Sequence, residues 1–484
     1  MPAITLRLYC HGIGDCLLIK LAKSDGSPFW MLIDCGLHSS TKNSRALMRE
    51  VVEDILATTD RLDVVVGTHE HWDHNSGFQQ AEDLFAQIEV GEVWFAWTEK
   101  PGDPQAAELD KYKDSALSAL AGAALALAGS GVQSAAAERL DSLFGFAFGA
   151  AGEKSRDARE RLRALAPTVV HHEPGTIAQL PAGLDDFRIY VLGPSRDPKL
   201  FGMVDSASET YSMGPDSANL LQGLANALAI NDGELTQSAD PLAPFDSSVG
   251  HALSELLVTK PDLTNPDIAF VDAHYLGMAA SIGEPPDRFR ETPDQSWRRI
   301  DRDWLGSSAE LAMQLDSKTN NTSLVLAIEH LPSKQVLLFA ADAQVGNWRG
   351  WAELEFDRGD DDDKVAVKDL LARTVFYKVG HHGSRNATRG PGGLEAMTSP
   401  NLTAFVPTDD KMAEKVKWTD FPAEGLLTRL TQKTNGRLVI SDRIWTQPGA
   451  PTPPGDQQAW FDKIKVEAGK VDPTRSLYVE WTIG

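Results

Sequence analysis

Apolar and polar residues alternate in Ile4-Thr5-Leu6-Arg7-Leu8-Tyr9-Cys10, run unbroken in Cys16-Leu17-Leu18-Ile19, and close at Phe29-Trp30-Met31-Leu32-Ile33 before Asp34-Cys35-Gly36. Alternation marks a half-buried strand, and a short apolar run between turn residues marks a fully buried one. Over residues 44–58 the period changes: Leu47, Val51, Ile55 and Leu56 recur at helical spacing. Leu62-Asp63-Val64-Val65-Val66-Gly67 is then another apolar strand, and strand, helix, strand predicts a layered α/β fold. Further strands are expected at Thr168-Val169-Val170, Phe187-Arg188-Ile189-Tyr190-Val191-Leu192 and Val375-Phe376-Tyr377-Lys378-Val379. A hairpin around Pro332-Ser333-Lys334 should join the strands at 323–328 and 335–340.

Two stretches depart from this pattern. Residues 101–166 are rich in Ala, Leu, Ser and Glu at helical spacing and read as a helical insertion; their aromatic, Gly-rich piece 143–149 suits self-packing, a lid or a partner surface. Residues 195–318, rich in Asp, Pro, Ser and Asn with a helical stretch at 218–229, read as a second insertion. The expected organisation of 1–484 is therefore a single domain carrying two insertions. The Pro-rich 446–455 is a loop before a final helix and strand.

Charge narrows the function classes. Lys and Arg number 46 against 69 Asp and Glu, a net charge of −23, opposite to the basic footprint of most phosphate-gripping proteins. Part of the excess is Asp360-Asp361-Asp362-Asp363, which reads as a solvated loop. Three cysteines, Cys10, Cys16 and Cys35, do not make a disulfide framework and are expected as buried thiols on strands. The N-terminus has no basic region before an apolar stretch, and the apolar run 116–128 falls short of the ~20 residues of a membrane span. The expectation is a cytoplasmic protein without membrane contact.

The candidate chemistry lies just beyond the apolar strand at 62–66, in Thr68-His69-Glu70-His71-Trp72-Asp73-His74. In extended chain alternate side chains point the same way, so His69 and His71 can reach one ion. Asp73 and His74 follow where the chain turns into a helix and can face a second. Imidazole and carboxylate suit zinc, and also manganese or iron. Asp342 ends another apolar strand, and Gly380-His381-His382-Gly383-Ser384 ends a third. Layered α/β folds build sites where strand ends deliver residues to one edge.

With these residues in place, the chain resembles the metallo-β-lactamase superfamily, and within it the metallo-hydrolase domain of ComEC-type DNA-uptake proteins. The likeness is carried by Gly12-Ile13-Gly14-Asp15-Cys16, Leu32-Ile33-Asp34-Cys35-Gly36, the His69 to His74 run, Asn320-Asn321-Thr322-Ser323-Leu324, Phe339-Ala340-Ala341-Asp342, Lys378-Val379-Gly380-His381-His382-Gly383-Ser384 and residues 421–442. It implies a four-layer αββα sandwich and two divalent ions, zinc with manganese as the alternative. His69 and His71 would hold one ion, Asp73 and His74 the other; Asp342 would bridge them, and His381 or His382 would complete the second site. Asp34 and Asp15 would orient the ligand histidines. The superfamily's usual middle histidine has no counterpart. Asn321 or Ser323 is expected at that corner, with His171, His172, His251 and His274 as the other histidines available. Phe421-Pro422 stands where ComEC-like domains tend to carry His-Pro.

The resemblance implies a hydrolase, of the phosphodiesterase or nuclease type, in which a hydroxide shared by the two metals attacks phosphorus. Asp73 or Asp342 would steer the proton, and Ser384, Lys378 and Asn321 would contact substrate. The partner expected is nucleic acid or a nucleotide-like phosphoester. The charge of −23 favours a small phosphoester or ester instead. A partner-binding subunit that uses the insertions is the third reading.

Overall fold

The alternating N-terminal segment forms strand β1 (Ile4–Tyr9), with Leu6 and Leu8 buried and Thr5 and Arg7 half-buried. It pairs antiparallel with β2 (Cys16–Ala22), and β2 with β3 (Pro28–Cys35). After the helix Ser44–Thr58, which has the span its apolar spacing predicts, β4 (Arg61–Val66) returns parallel to β3. β5 (Glu89–Ala96) and β6 (Thr168–His172) extend the parallel half. β7 (Thr176–Ile177) and β8 (Phe187–Gly193) begin a second sheet, followed by the hairpin of β9 (Val325–His330) and β10 (Gln335–Phe339).

A two-stranded ribbon, β11 (Glu355–Asp357) with β12 (Lys364–Ala366), stands apart. β13 (Thr374–Lys378), β14 (Thr403–Val406) and β15 (Leu438–Ile440) run parallel to β10 and complete the second sheet. β16 (Lys465–Ala468) and β17 (Ser476–Ile483) go back to the first, where β17 pairs with β1. The first sheet is thus β16-β17-β1-β2-β3-β4-β5-β6 and the second β15-β14-β13-β10-β9-β8-β7. The class is mixed α/β.

The computed structural model describes residues 4–129, 154–201, 262–271, 307–359, 364–415, 421–444 and 458–483. Within them one apolar cluster takes side chains from both sheets, among them Leu6, Ile19 and Val64 from the first and Val191, Leu326 and Phe376 from the second. A second packs the helix Ser44–Thr58 on the other face of the first sheet through Met48, Val52 and Ile55. A third packs Trp348, Leu370 and Leu430, from three helices, on the second sheet. Strands buried on both faces explain why 62–66 and 375–379 read as apolar runs rather than alternating ones.

The chain divides into two compact units. The first comprises Met1–Ser115, Glu138–Asp216 and Ala312–Gly484 and contains both sheets. The second comprises Ala116–Ala137 and Ser217–Leu311, both lying inside the stretches expected as insertions; its described residues are helical apart from the turn at 262–265. Residues 143–149, 218–229, 360–363 and 446–455, with His251 and His274, lie outside the described residues. Among the described residues no helix is long and apolar enough to cross a membrane. Cys10, Cys16 and Cys35 are buried and free; Cys10 lies just past β1 rather than on it.

Parallel pairing of β3 with β4, and of β10 with β13, brings the C-terminal ends of each pair to one edge. The amide of Leu324, just before β9, donates to Thr68 O at 2.8 Å, tying the loop after β4 to the second sheet.

Candidate metal centre

Past β4 the chain bends at His69 and Glu70 rather than staying extended, the His71 amide donating to His69 O at 3.1 Å, and the helix Trp72–Gln80 begins with Asp73 in its first turn, where the helix dipole favours a carboxylate. Asn75 Nδ2 donates to His69 O (2.7 Å) and His71 O (3.1 Å), fixing the turn. The loops after β1 and β3 press on this helix start. A Cβ on Gly36 would lie 2.3 Å from the carbonyl carbon of Asp73, so only glycine admits that approach. Asp34, Ala341, His381 and His382 all have positive φ, so the backbone departs from regular geometry where the strand ends meet.

Among the described residues these strand ends gather two overlapping donor sets, of which Asp15, Asp34 and His74 form the smaller. Asp73, His74, Asp342 and His382 each offer a ligand atom within 4.8 Å of the others, and all four are fully buried. His74 Nε2 lies 3.0 Å from Asp342 Oδ2, and His382 Nε2 lies 3.0 Å from Asp73 Oδ2 and 3.4 Å from Asp342 Oδ2. Asp73 Oδ1 is sealed from solvent without a hydrogen-bond partner, and His74 Nε2 and Asp342 Oδ2, sealed as well, face only this cluster of charged groups. Buried polar atoms are seldom left so, and a bound cation is one thing that satisfies them. Oxygen and imidazole donors converging on one buried point fit a divalent ion. Beside them His69 Nε2 faces His71 Nδ1 at 3.1 Å, and the His69 ring stands 4.2 Å from that of His74.

The nitrogens turned away from this point are held. His74 Nδ1 donates to Asp34 Oδ2 at 2.8 Å. Thr68 Oγ1 also donates to Asp34 Oδ2, at 2.7 Å, and so accepts from His69 Nδ1 at 3.1 Å. His382 Nδ1 donates to Pro407 O at 2.9 Å, leaving Nε2 as its inward donor atom. Such partners fix the tautomer and orientation of ligand imidazoles. Asp34 therefore holds two histidines at once. Asp15 is engaged by Lys378, whose sealed ammonium also donates to Ala341 O at 2.9 Å and lies 3.4 Å from Asp342 Oδ1.

Electrostatics follow from this packing. Burial opposes charge on His74, yet Asp342, Asp73, Asp34 and Asp15 push its pKa well above the ordinary histidine value. His382, against the same burial, is pushed up to about 9 by Asp342 and Asp73. Burial drives His69 well down and His71 down to about 3, helped in both by the charge of His74. Asp342 overcomes burial and is held well below the carboxylate range by His74, His382 and Lys378. The carboxylates thus collect positive charge, which is what a cation site does.

The structure separates the expected residues. His382 joins the quartet, whereas His381 faces Asn320 Nδ2 and Gln344 Nε2, each at 3.4 Å, with the edge of Phe421 against its ring. Lys378, expected at the substrate, is instead buried among carboxylates. Asn321 bonds Phe201 O and the Asn347 amide, and Ser323 Oγ accepts from the Asp342 amide at 3.3 Å. Ser384 is half-buried and donates to Asn386 Oδ1. His171 and His172 lie on β6, His171 beside Arg163 and His172 against Trp94.

Several residues at the centre escaped the sequence reading. Thr68 and Pro407 act through their bonds to His69 and His382. Glu70 is gripped by Arg159 at 2.5 Å, with Lys113 at 4.0 Å, which anchors the loop between His69 and His71. Asp316 and Asn320, one helical turn apart on the helix Ser307–Asn320, approach His71 and His381. Asp316 is pushed up to about 8 by burial and by Asp73 and Asp342. The signal for these two was their i, i+4 spacing just before a strand that resembles the family. Asp316 falls inside 195–318, which reads as an insertion, whereas Asn320 lies in the likeness without a role of its own. No family model matches the chain, and a search of curated proteins finds no match.

Proposed function

We propose that this chain is a divalent-metal-dependent hydrolase of the metallo-β-lactamase fold, similar to ComEC-type domains, and that it cleaves phosphodiester bonds. The observation that carries this reading is the buried quartet Asp73, His74, Asp342 and His382, whose ligand atoms converge and whose Asp73 Oδ1 has no hydrogen-bond partner. Facing sheets with helices packed outside both support the four-layer αββα sandwich. His69 and His71 would hold one ion, Asp73, His74 and His382 the other, with Asp342 between them. Such ions, zinc or manganese, supply hydroxide at neutral pH and offset charge developing on oxygen.

The chain's own groups do the rest. Asp34, through His74 and Thr68, keeps two imidazoles in their inward-facing tautomers. Lys378 balances Asp15 and Asp342. Asp73 Oδ1, which has no hydrogen-bond partner, would accept a proton from the attacking water as the water's oxygen bonds to phosphorus. The bond to the leaving oxygen would break in the same displacement, and that oxygen would take up the proton from Asp73 and depart as the alcohol.

The net charge of −23 favours a second reading, a small phosphoester in place of a nucleic acid. Protein loaded with zinc or manganese should hydrolyse bis(p-nitrophenyl) phosphate, and an Asp342→Asn variant should not. If single-stranded and duplex DNA and RNA stay intact while the small diester is cleaved, the nuclease reading fails. No hydrolysis of any of them would sink the hydrolase reading.

A further inference from the structure

In a straight strand His69 and His71 would share one direction without help; in the bend that replaces it, their placement depends on what holds the chain between them. One anchor is Asn75, which bonds the carbonyls of both histidines. The other is Glu70, whose Oε2 accepts from Arg159 at 2.5 Å. Arg159 lies on the helix Ser155–Arg163, inside the first insertion and outside every motif of the resemblance. That helix buries Ser155, Ala158, Arg159 and Leu162, which are spaced for one face. Leu162 Cδ2 lies 2.6 Å from where a Cβ on Gly67 would stand, so the helix bears on both ends of the loop 67–70. It is also bolted to the end of β5: Arg163 donates to Glu99 O at 2.9 Å, and Arg159 pairs with the Glu99 carboxylate.

We infer that Arg159 is a positioning residue for the ion at His69 and His71, acting through Glu70; the inference rests on the metal-centre reading above. Burial raises Glu70 above the ordinary carboxylate value, with Lys113 and Arg159 opposing it, but its Oε2 accepts an arginine N–H in either protonation form. Glu99, against the same burial, is held below its ordinary value by Lys113 and Arg159, so the guanidinium keeps a charged partner at the end of β5. Arg159 is therefore a fixed point, and Glu70 moves only by breaking from it. Without that hold the bend is free to turn, and the His69 and His71 rings, 4.7 Å apart and crossed at 70°, lose their relative setting. An ion shared by those two rings weakens. An ion at Asp73, Asp342 and His382 does not depend on the bend, because these residues come from the helix start and from the ends of other strands. The first insertion thus completes the centre.

The test is zinc affinity by competition with a chromophoric chelator, together with the visible spectrum of the cobalt(II)-loaded protein. Glu70→Ala and Arg159→Met should each weaken one of two ions by about ten- to a hundred-fold, leave the other, and alter the cobalt spectrum. The double variant should bind no worse than Glu70→Ala, because both act through one contact. Glu70→Gln keeps an acceptor oxygen and should recover most of the loss. Glu99→Ala removes a buried partner of the same arginine outside the loop, so it should lower the Tm of chelator-treated protein and keep both affinities. Should Arg159→Met fail to fold, Arg159→Met with Glu99→Gln strands less charge and reads the same contact. Wild-type affinities and spectrum in Glu70→Ala or in the Arg159 variant would overturn the inference. So would equal weakening of both ions that follows the Tm across Glu70→Ala and Glu99→Ala, which marks a merely structural role. A wild-type protein that takes up no ion would look different from either, and it would sink the metal-centre reading itself.

Discussion

Replacing Lys378 by Met keeps the length of a fully buried side chain and removes its charge. The ammonium lies among Asp15, Asp342 and the carbonyl of Ala341, and both carboxylates are within 1% of complete burial. Removing one partner of a buried ion pair leaves an uncompensated charge, which costs about 3–5 kcal/mol. A domain's whole stability is only about 5–15 kcal/mol, so the variant should be visibly weakened. Urea unfolding followed by tryptophan fluorescence in the presence of chelator measures it. A cation bound at Asp342 replaces part of the lost charge, so zinc should return more stability to the variant than to the wild type. Ligand at a hundred times its Kd contributes about 2.7 kcal/mol by mass action alone. Adding Asp15→Asn removes the stranded carboxylate and should recover a large part of the loss, because the two residues are directly coupled. A loss below about 1 kcal/mol in Lys378→Met, or strict additivity with Asp15→Asn, would refute this view of Lys378.

Two further outcomes follow from the same packing. Gly36→Ala puts a methyl against the Asp73 backbone, and should cost about 1–3 kcal/mol and weaken zinc binding in a chelator competition; wild-type values for both would contradict the close approach. His172 lies against Trp94 with its Nε2 unpartnered, and burial, with the charge of His171, lowers its pKa to about 4. The unfolded chain then binds more protons than the folded one between that value and the ordinary 6.5, so His172 makes stability fall as pH drops through this window. Relative to the wild type, His172→Phe should lose less stability between pH 7 and pH 4, by at most about 3 kcal/mol, in urea titrations at the two pH values. Identical losses would show that His172 is not the group titrating.

Much of the architecture was legible because period and burial coincide. The helix over 44–58 and the strands around it follow from apolar spacing alone, and the hairpin of β9 and β10 from its turn residues. β5 was missed: Glu89, Gly91 and Glu92 interrupt its apolar pattern, and its burial comes from neighbours far along the chain. The pairing of β17 with β1 joins opposite ends of the sequence, which local pattern cannot express. At the site, His69, His71, Asp73 and His74 were visible because short spacing places them on one stretch. Asp342 and His382 needed the strand ends to meet. Choosing His382 over His381 needed the Pro407 carbonyl, and Lys378 could be moved from substrate to carboxylate partner only once its burial was known. Asp316 lies 245 positions beyond His71 by sequence number and shares no motif with it, so only the fold brings them together.

The central claim is that this buried set of histidines and carboxylates holds divalent ions, and metal content measures that most directly. Wild-type protein loaded with zinc or manganese and passed through desalting should retain two ions per chain by mass spectrometry, and a double variant, Asp73→Ala with Asp342→Ala, should retain none at the centre. Fewer than one ion on the wild type, or equal content in both proteins, would contradict the account.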